Sequence, residues 1–583
     1  MQDDRARIAG FRAPPVGPGI RAIAPFLGLL AVSGVFLLLT AGYSTRLTQS
    51  FHGLYHAAYV SQLANGIIPP TNPSSLGMPA NYYWAWHGLL ALLSRGLGIS
   101  AFQSHLVVSW LSLAVFLSVT WVFVGRRAWS PLSRLGACFL PFFILDPAGL
   151  IRYAFLALSP SGVPPALAPS VSNLMPARAL FGVELSSGVG HLLNKFCNFS
   201  SFPAALALYA IALLALARTG SVAARCCVLF SCAAVCALFS PLPAAGIAGA
   251  AVAFTVVRLA EGRRGAAVWA PAVATAAGLL IALPYLRSIV LAYGSKTSLF
   301  LEPAALGRHA FSLGWALAPV APVYVLGAFW MRSLSTEERA WWILGIGCGL
   351  VAMVVAAPVE MPNEYKLILL TALPSTLLTL AVVRELGRRL ALGTRARPTL
   401  RALVTLLLLA AAATSLGATA ILYRSSVWAR QNPYRYDGRH LDLVSGHSPR
   451  RRDLADAYHW LRARTPATAF VLERPVHGND VLIPAIAERR VVAVLLWHHN
   501  AKIPHQLRLQ RRANAISTGL ASCQVSQRQL DSLFRVPAPW PAELFAVAPI
   551  RDAETASLCR AGLDPRITIA HQNRSYRVFS IRR

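Results

Sequence analysis

Charged residues are scarce in this sequence. Of its 583 residues, 13% are charged and 55% are hydrophobic, whereas soluble domains carry about 25% charged residues. Acidic residues are rarest where the chain is most apolar: nine occur between Arg21 and Tyr423, against twelve in the much shorter segment from Arg424 onward. This distribution argues against a soluble protein and predicts two parts that meet different solvents.

Several motifs of soluble proteins are also missing. The nine cysteines include no CxxC pair, which argues against a metal cluster, and no phosphate-binding loop occurs, which argues against an ATP-driven pump. The formal net charge of +31 comes without the aromatic or Gly-rich motif of a nucleic-acid site. No nucleic-acid partner is therefore expected.

Apolar runs long enough to cross a hydrocarbon core of roughly 30 Å predict a mainly α fold class. Residues 1–423 would form a polytopic transmembrane helical bundle of about eleven spans, and residues 424–583 a soluble α/β domain. The segment from Tyr82 to Leu97 is interpreted as an interfacial or re-entrant helix. The predicted spans cover residues 22–43, 104–125, 132–150, 199–217, 222–240, 243–258, 266–286, 311–331, 340–357, 367–383 and 402–422.

Arginine clusters in alternate connections predict the orientation of the spans. Arg5, Arg7 and Arg12 precede the first span, and the strongest cluster, from Arg384 to Arg401, precedes the last. With a cytoplasmic N-terminus and an odd number of spans, the C-terminal domain would lie outside the cytoplasm. Functional residues are expected in the long outer connections, which are residues 44–103, 151–198, 287–310 and 358–366.

The C-terminal segment alternates helix and strand signals. Helices are predicted at 454–464, 484–488 and 526–534, and strands at 469–472, 491–496, 544–547, 567–570 and 576–581. A small α/β domain fits this order. It carries no nucleophile elbow, so it is interpreted as a lid or docking module. If the domain lies outside the cytoplasm, Cys523 and Cys559 could form one disulfide.

The first outer connection is the most informative stretch. It contains FHGLYH at 51–56, ANGIIPP at 64–70 and NYYWAWHG at 81–88, and the chain later contains NEYK at 363–366 and AYHWLRARTP at 457–466. Together these segments resemble the GT-C superfamily of membrane glycosyltransferases. The resemblance implies an active site at the outer boundary of a bacterial plasma membrane. It also implies a polyprenyl-phosphate-linked sugar donor and a cell-envelope glycan or lipid as acceptor.

Superfamily members place a catalytic Asp or Glu in the first outer connection, where it accepts a proton or binds a divalent metal ion. This chain departs from that pattern, because no acidic residue lies between Asp4 and Asp146. His52 and His56 share one face of a helix, and a neutral imidazole can act as base or metal ligand. Alternatively, both are interfacial residues beside Tyr55 and Trp84. A divalent metal ion is left open as a cofactor, with unknown ligands.

Two acidic residues of later connections are further candidates for the catalytic role. Asp146 ends the third predicted span, and an acid at membrane depth is expected to be functional unless it is a solvated helix end. Glu184 lies in a connection with Arg178, His191 and Lys195, a mixture able to hold a phosphate and a base. The alternative for Glu184 is an ordinary charged loop.

Substrate binding is predicted at a second set of polar residues. Lys366 is the first choice to meet a lipid phosphate, with Glu364 beside it and Arg152 and Arg308 as further cations. The alternative is that these cations are anchors that snorkel to the membrane surface. His87 is open to the same alternatives as His56.

Three functions follow from these observations. The first is transfer of a sugar from a polyprenyl-phosphate carrier to an extracytoplasmic acceptor. The second is a non-catalytic relative, without the first acid, that binds or assembles lipid-linked glycans. The third, a transporter or flippase, is disfavoured because the spans lack mid-membrane charges and obvious inverted repeats. Membrane lipids are partners in all three.

Overall fold

The structure is a computed structural model that describes a defined set of residues, within which the helices and strands are as follows. The described residues are 20–38, 51–73, 76–80, 82–125, 130–145, 147, 151, 192–218, 220–293, 317–354, 365–389, 396–424, 434–437, 440–443, 449–473, 483–492, 504–550 and 556–583. The helices are Ile20–Leu37 (α1), Phe51–Ala64 (α2), Ala85–Leu97 (α3), Ala101–Gly125 (α4), Pro131–Phe143 (α5), Leu192–Cys197 (α6), Phe202–Ala217 (α7), Val222–Phe239 (α8), Pro241–Ala260 (α9), Ala266–Tyr293 (α10), Ala321–Phe329 (α11), Thr336–Val354 (α12), Tyr365–Leu370 (α13), Ala372–Arg389 (α14), Ala396–Arg424 (α15), Pro449–Arg464 (α16), Pro504–Ala521 (α17), Gln527–Phe534 (α18) and Ala556–Ala561 (α19). The strands are Tyr434–Asp437 (β1), His440–Leu443 (β2), Phe470–Glu473 (β3), Arg490–Val491 (β4), Glu543–Pro549 (β5), Ile567–Gln572 (β6) and Tyr576–Arg582 (β7).

The first 424 residues form a helical bundle wherever the structure describes them. Each predicted span overlaps at least one helix. Within the described ranges, five helices are long and apolar enough to cross a membrane, namely α4, α8, α9, α10 and most of α15. Leu27–Leu37 and α7 are apolar but shorter. The helical class is thus confirmed, and the count of eleven spans stays a prediction.

Charged side chains hold several helix ends together at one end of the bundle. Arg384, near the end of α14, pairs with Glu338 in the first turn of α12 at 3.0 Å. Arg339 of the same turn pairs with Glu261, which follows α9, at 3.4 Å. Arg384 belongs to the cluster that the sequence assigned to the cytoplasmic side, and here it meets an acidic partner, as expected if membrane-facing segments exclude charge.

The C-terminal part contains a five-stranded mixed sheet in the order β4-β3-β5-β7-β6. Strand β3 is parallel to β4 and β5, while β7 is antiparallel to both β5 and β6. The predicted helix at 454–464 falls on α16, and four of the predicted strands fall on β3, β5, β6 and β7. The strand predicted at 491–496 overlaps β4 at Val491, and its residues 493–496 lie outside the described residues. Sequence reasoning did not anticipate α17, α19 or the β1–β2 hairpin.

The connection between α2 and α3 packs into the C-terminal sheet domain. Leu76 is fully buried and packs in the same apolar cluster as Phe470, Leu544 and Phe579. Its backbone N–H donates to the carbonyl of Val492 at 2.9 Å. The C-terminal domain therefore completes its core with a side chain from the bundle, and the two parts share one packed interface.

Gly77 allows the close contact between the two parts because it has no side chain. Its φ of +77° is a conformation that L side chains rarely adopt, and an added Cβ would lie 2.6 Å from Cδ of Pro539. Glycine accommodates both the left-handed backbone and the close approach. Farther along, the helical turn Ile483–Ala487 packs against α2, which makes a second contact between the C-terminal domain and the bundle.

Candidate functional site

Helices α2 and α3 pack against each other and bring two predicted site histidines together. The start of α3 is fixed by a hydrogen bond to α10, because the backbone N–H of Ala85 donates to the Tyr285 hydroxyl at 2.9 Å. The Trp84 ring packs edge-on against Tyr285, with centroids 5.5 Å apart. This anchoring places His87, two residues into α3, opposite His56 in the middle of α2.

The two imidazoles are hydrogen-bonded to each other. Nδ1 of His56 lies 2.7 Å from Nε2 of His87, and both residues are 0% exposed. Nδ1 of His87 lies 3.2 Å from the carbonyl oxygen of Tyr83, which can only accept. If both rings are neutral, His87 therefore carries its proton on Nδ1 and accepts at Nε2, and His56 donates from Nδ1.

Aromatic rings surround the histidine pair. Tyr82 meets His56 edge-on at 4.8 Å, Phe199 stacks on it at 5.5 Å, and Trp86 approaches at 5.9 Å. Of the neighbours expected from the sequence, Tyr55 is in edge contact at 6.3 Å, whereas Trp84 packs on Tyr285 instead. The pair is thus a polar link inside an aromatic core, and a substrate could reach it only if side chains moved.

A metal ion does not fit the described part of this site. In the ranges that the structure covers, no three His, Cys, Asp or Glu side chains come close enough to hold a metal ion. The facing nitrogens of His56 and His87 are bonded to each other, so a metal would have to separate them. We therefore assign no step to a metal ion.

Two lysines lie on short helices, α6 and α13, and one of them contacts the start of α7. Lys195, on α6 in the predicted outer connection, is only 5% exposed, and this burial lowers its pKa to about 8. Lys366 lies at the start of α13, and its Nζ is 6.0 Å from the ring centroid of Phe202, the first residue of α7. Helix N-termini favour anions, so this end of α7 and Lys366 combine two sources of positive potential, and the helix that carries Lys195 packs against α7.

Sequence reasoning named Lys366 directly but named Lys195 only as a neighbour of Glu184. The α6 helix precedes α7 by a short turn, and that proximity in sequence was the available signal. What could not be seen was the burial of Lys195, because it depends on packing of α6 against α4, α5 and α7.

The remaining predicted site residues are not placed by the structure. His52 belongs to the first turn of α2, and its side chain lies outside the described part. The other five candidates also fall outside the described residues, namely Asp146, Glu184, Glu364, Arg152 and Arg308.

Comparison with known proteins gives likeness in structure but none in sequence. No protein-family model and no curated protein matches the chain. The crystal structure of ArnT from Cupriavidus metallidurans bound to undecaprenyl phosphate is similar over 96% of this chain and 97% of that one, with a TM-score of 0.47 and 11% identity. The Archaeoglobus fulgidus oligosaccharyltransferase in complex with Zn and sulfate is similar over 89% of this chain and 68% of that one, with a TM-score of 0.44 and 13% identity.

ArnT and the archaeal oligosaccharyltransferase are GT-C glycosyltransferases. That superfamily is the one that the segments at 51–56, 64–70 and 81–88 resemble. At this identity and TM-score, the structural likeness assigns neither an activity nor a residue role to this chain.

Proposed function

We propose that this protein is a membrane glycosyltransferase that moves a sugar from a polyprenyl-phosphate carrier to an extracytoplasmic acceptor of the cell envelope. The observation that carries the proposal is the position of Lys366 beside the first residue of α7, next to α6, the helix that carries the buried Lys195. A lipid phosphate at the membrane boundary is poorly solvated and needs fixed positive charge. In this proposal the N-terminus is cytoplasmic, and residues 424–583 form a domain on the outer face of a bacterial plasma membrane.

Both lysines would bind the phosphate of the carrier. Lys366 is partly exposed and able to meet a phosphate that arrives from the lipid phase. Lys195 is buried, and burial disfavours its charged form, so an anionic phosphate beside it would stabilise the ammonium. Glu364, Arg152, Arg308 and His87 are proposed to line the rest of the substrate site.

The proton acceptor for the incoming hydroxyl is proposed among Asp146, Glu184, His52 and His56. The side chain of His56 is fully buried and hydrogen-bonded to His87. For His56 to act, this hydrogen bond must open on substrate binding. The carboxylates of Asp146 and Glu184 are the acidic groups proposed for this role.

Binding of undecaprenyl phosphate, the ligand in the similar ArnT structure, tests the lysine assignment. We expect Lys366→Ala and Lys195→Ala each to weaken binding to purified protein by roughly 10- to 100-fold, the value of one charge-assisted hydrogen bond. Arg528→Ala, at an exposed position of α18, is the control and should bind as wild type. Unchanged affinity in both lysine variants would refute the assignment.

A second candidate function is supported by the buried histidine pair. The sequence has no acidic residue between Asp4 and Asp146, and the pair fills part of the first outer connection with side chains committed to each other. Such a protein could bind or assemble lipid-linked glycans without catalysis. Transport stays the third and weakest alternative.

Transfer assays distinguish catalysis from binding alone. Replacing the true base should reduce turnover by about 10²–10⁴-fold while donor binding persists. The variants to compare are Asp146→Asn, Glu184→Gln, His52→Ala and His56→Ala. If wild-type protein binds the donor and transfers sugar to no envelope fraction, the non-catalytic function is correct.

A further inference from the structure

A polar cleft lies where the C-terminal domain meets the outer end of the bundle. Its walls are α2, the corner between α3 and α4, and the turn that begins at Ile483, and its volume is about 280 Å³. Neither of the two lysines and neither histidine of the pair is among the residues that line it. Its polar lining residues are Ser61, Asn65, Ser94, Arg95, Ser100 and Glu488.

The lining offers both donors and acceptors without a net charge. Arg95 brings one positive charge and Glu488 one negative charge, while the amide of Asn65 can donate and accept. Arg95 and Asn65 are exposed, so the cleft reaches the surface. An anionic group would be attracted by Arg95 and repelled by Glu488. The charge balance therefore favours a neutral ligand rich in hydroxyl groups over a phosphate.

Ser61 provides an unused hydrogen-bonding group at this cleft. Its Oγ is buried and has no hydrogen-bond partner within the part of the chain that the structure covers. A buried hydroxyl without a partner is unfavourable, and a ligand that supplies one relieves this cost. Phe102 also lines the cleft and offers an apolar surface of the kind that packs against the C–H face of a sugar ring.

Glu488 is held in a strained conformation at the edge of the cleft. Its φ of +55° is in the left-handed region, which is unfavourable for a residue with a Cβ. The neighbouring Arg489 is 6% exposed and fixes this turn, because its guanidinium donates to Oγ1 of Thr465 at 2.9 Å and to the Thr465 carbonyl at 2.7 Å. Strain that the surroundings enforce is concentrated at functional positions.

We propose that this cleft binds one neutral sugar residue of an oligosaccharide. The volume, about 280 Å³, is just below the usual range of about 300–1,000 Å³ for small-molecule sites, which suits one sugar ring. Hydroxyl groups of the sugar would donate to Glu488 and accept from Arg95, Asn65 and Ser61. The proposal goes beyond the transfer reaction, because it requires binding alone and holds for a catalytic or a non-catalytic protein.

Saturation-transfer NMR on protein in lipid nanodiscs, without any sugar-headed detergent, tests this site. The probes are the neutral trisaccharides maltotriose, cellotriose, mannotriose and chitotriose. We expect saturation transfer to at least one of them with wild-type protein. Affinity should fall about tenfold in Arg95→Met and in Glu488→Gly, since each removes a charge-assisted hydrogen bond. Arg528→Met is the matched surface control and should bind as wild type.

Glu488→Gly keeps the experiment decisive if other variants fold poorly. Glycine adopts the left-handed conformation at no steric cost, so this variant should unfold at the wild-type temperature or above it while losing the carboxylate. The proposal is overturned if no trisaccharide binds, if binding survives in both Arg95→Met and Glu488→Gly, or if inorganic phosphate displaces the sugar. Undecaprenyl phosphate binding, measured on the same samples, reports separately on the proposed carrier site.

Discussion

A disulfide joins Cys523, which follows α17, to Cys559 on α19, and their Cα atoms are 4.9 Å apart. Both residues are buried, and the guanidinium of Arg577 on β7 donates to Sγ of Cys523 at 3.0 Å. The bond therefore ties two helices to the sheet of the C-terminal domain. This pairing was an open alternative in the sequence, and an oxidising compartment is where such a bond persists.

Removing the disulfide should destabilise the C-terminal domain. The bond spans 36 residues, for which the chain-entropy estimate is roughly 4 kcal/mol. We expect the double variant Cys523→Ala/Cys559→Ala to unfold at a lower urea concentration than wild type. Unfolding of the domain is measured by its susceptibility to proteolysis. Cys227→Ala, at an exposed free cysteine, is the control. Alkylation of both Cys523 and Cys559 in unreduced protein would contradict the bond.

The predicted topology is tested by cysteine accessibility in intact cells. A single cysteine introduced at Ser445 should react with a membrane-impermeant maleimide, because the C-terminal domain is predicted to lie outside. A cysteine at Gly393, within the strongest arginine cluster, should react only after the cells are permeabilised. The opposite pattern of labelling would show that the orientation is wrong.

Leu76 should contribute strongly to the stability of the interface between the helical bundle and the C-terminal domain. Leu76→Ala removes a fully buried side chain, and such changes are destabilising by about 2–5 kcal/mol. We expect a protease to cleave the C-terminal domain from the bundle faster in this variant than in wild type. Ile68, in the same connection, is 69% exposed, and Ile68→Ala should have little effect. If Leu76→Ala and Ile68→Ala are cleaved by the protease at the same rate, Leu76 does not stabilise the contact between the C-terminal domain and the bundle.

The histidine pair should behave as one unit. His56→Phe or His87→Phe alone leaves the other buried imidazole without this hydrogen bond, which is unfavourable by about 1–3 kcal/mol. The double variant removes both facing groups and should be less destabilised than the sum of the single variants. Thermal unfolding of the four proteins measures this coupling. Additive effects would show that the hydrogen bond contributes nothing to stability.

Carrier binding should depend on pH through Lys195. Its pKa, lowered to about 8 by burial, means that the charge is lost as pH rises through 8, so affinity for undecaprenyl phosphate should fall between pH 7 and pH 9.5. Lys195→Met should bind weakly with a flatter profile. A wild-type affinity that is constant over this range would refute a direct contact between Lys195 and the phosphate.

Stability of the ligand-free protein should change in the opposite direction. The folded pKa of Lys195 lies below the reference value of 10.5, so the unfolded chain binds more protons between about pH 8 and pH 10.5. Stability from this group therefore rises with pH across that window. Comparison of wild type with Lys195→Met by thermal unfolding isolates the effect.

Composition and periodicity determined much of this architecture. The apolar runs located the helices of the bundle because a membrane-spanning helix must be almost entirely apolar. Alternating patterns located α16 and most strands of the C-terminal sheet. In contrast, α17 and the β1–β2 hairpin were missed: α17 begins in a basic stretch, where local propensity gives a weak signal and packing decides.

The tertiary structure decided which residues meet. Spacing alone placed His52 and His56 on one helix face, yet the bond is between His56 and His87, because α3 packs across α2 and buries both rings. The burial of Lys195 and the insertion of Leu76 into the C-terminal core likewise come from contacts between segments far apart in sequence. A sequence determines where its apolar and charged groups lie along the chain, but burial and pKa shifts arise only when distant segments pack together.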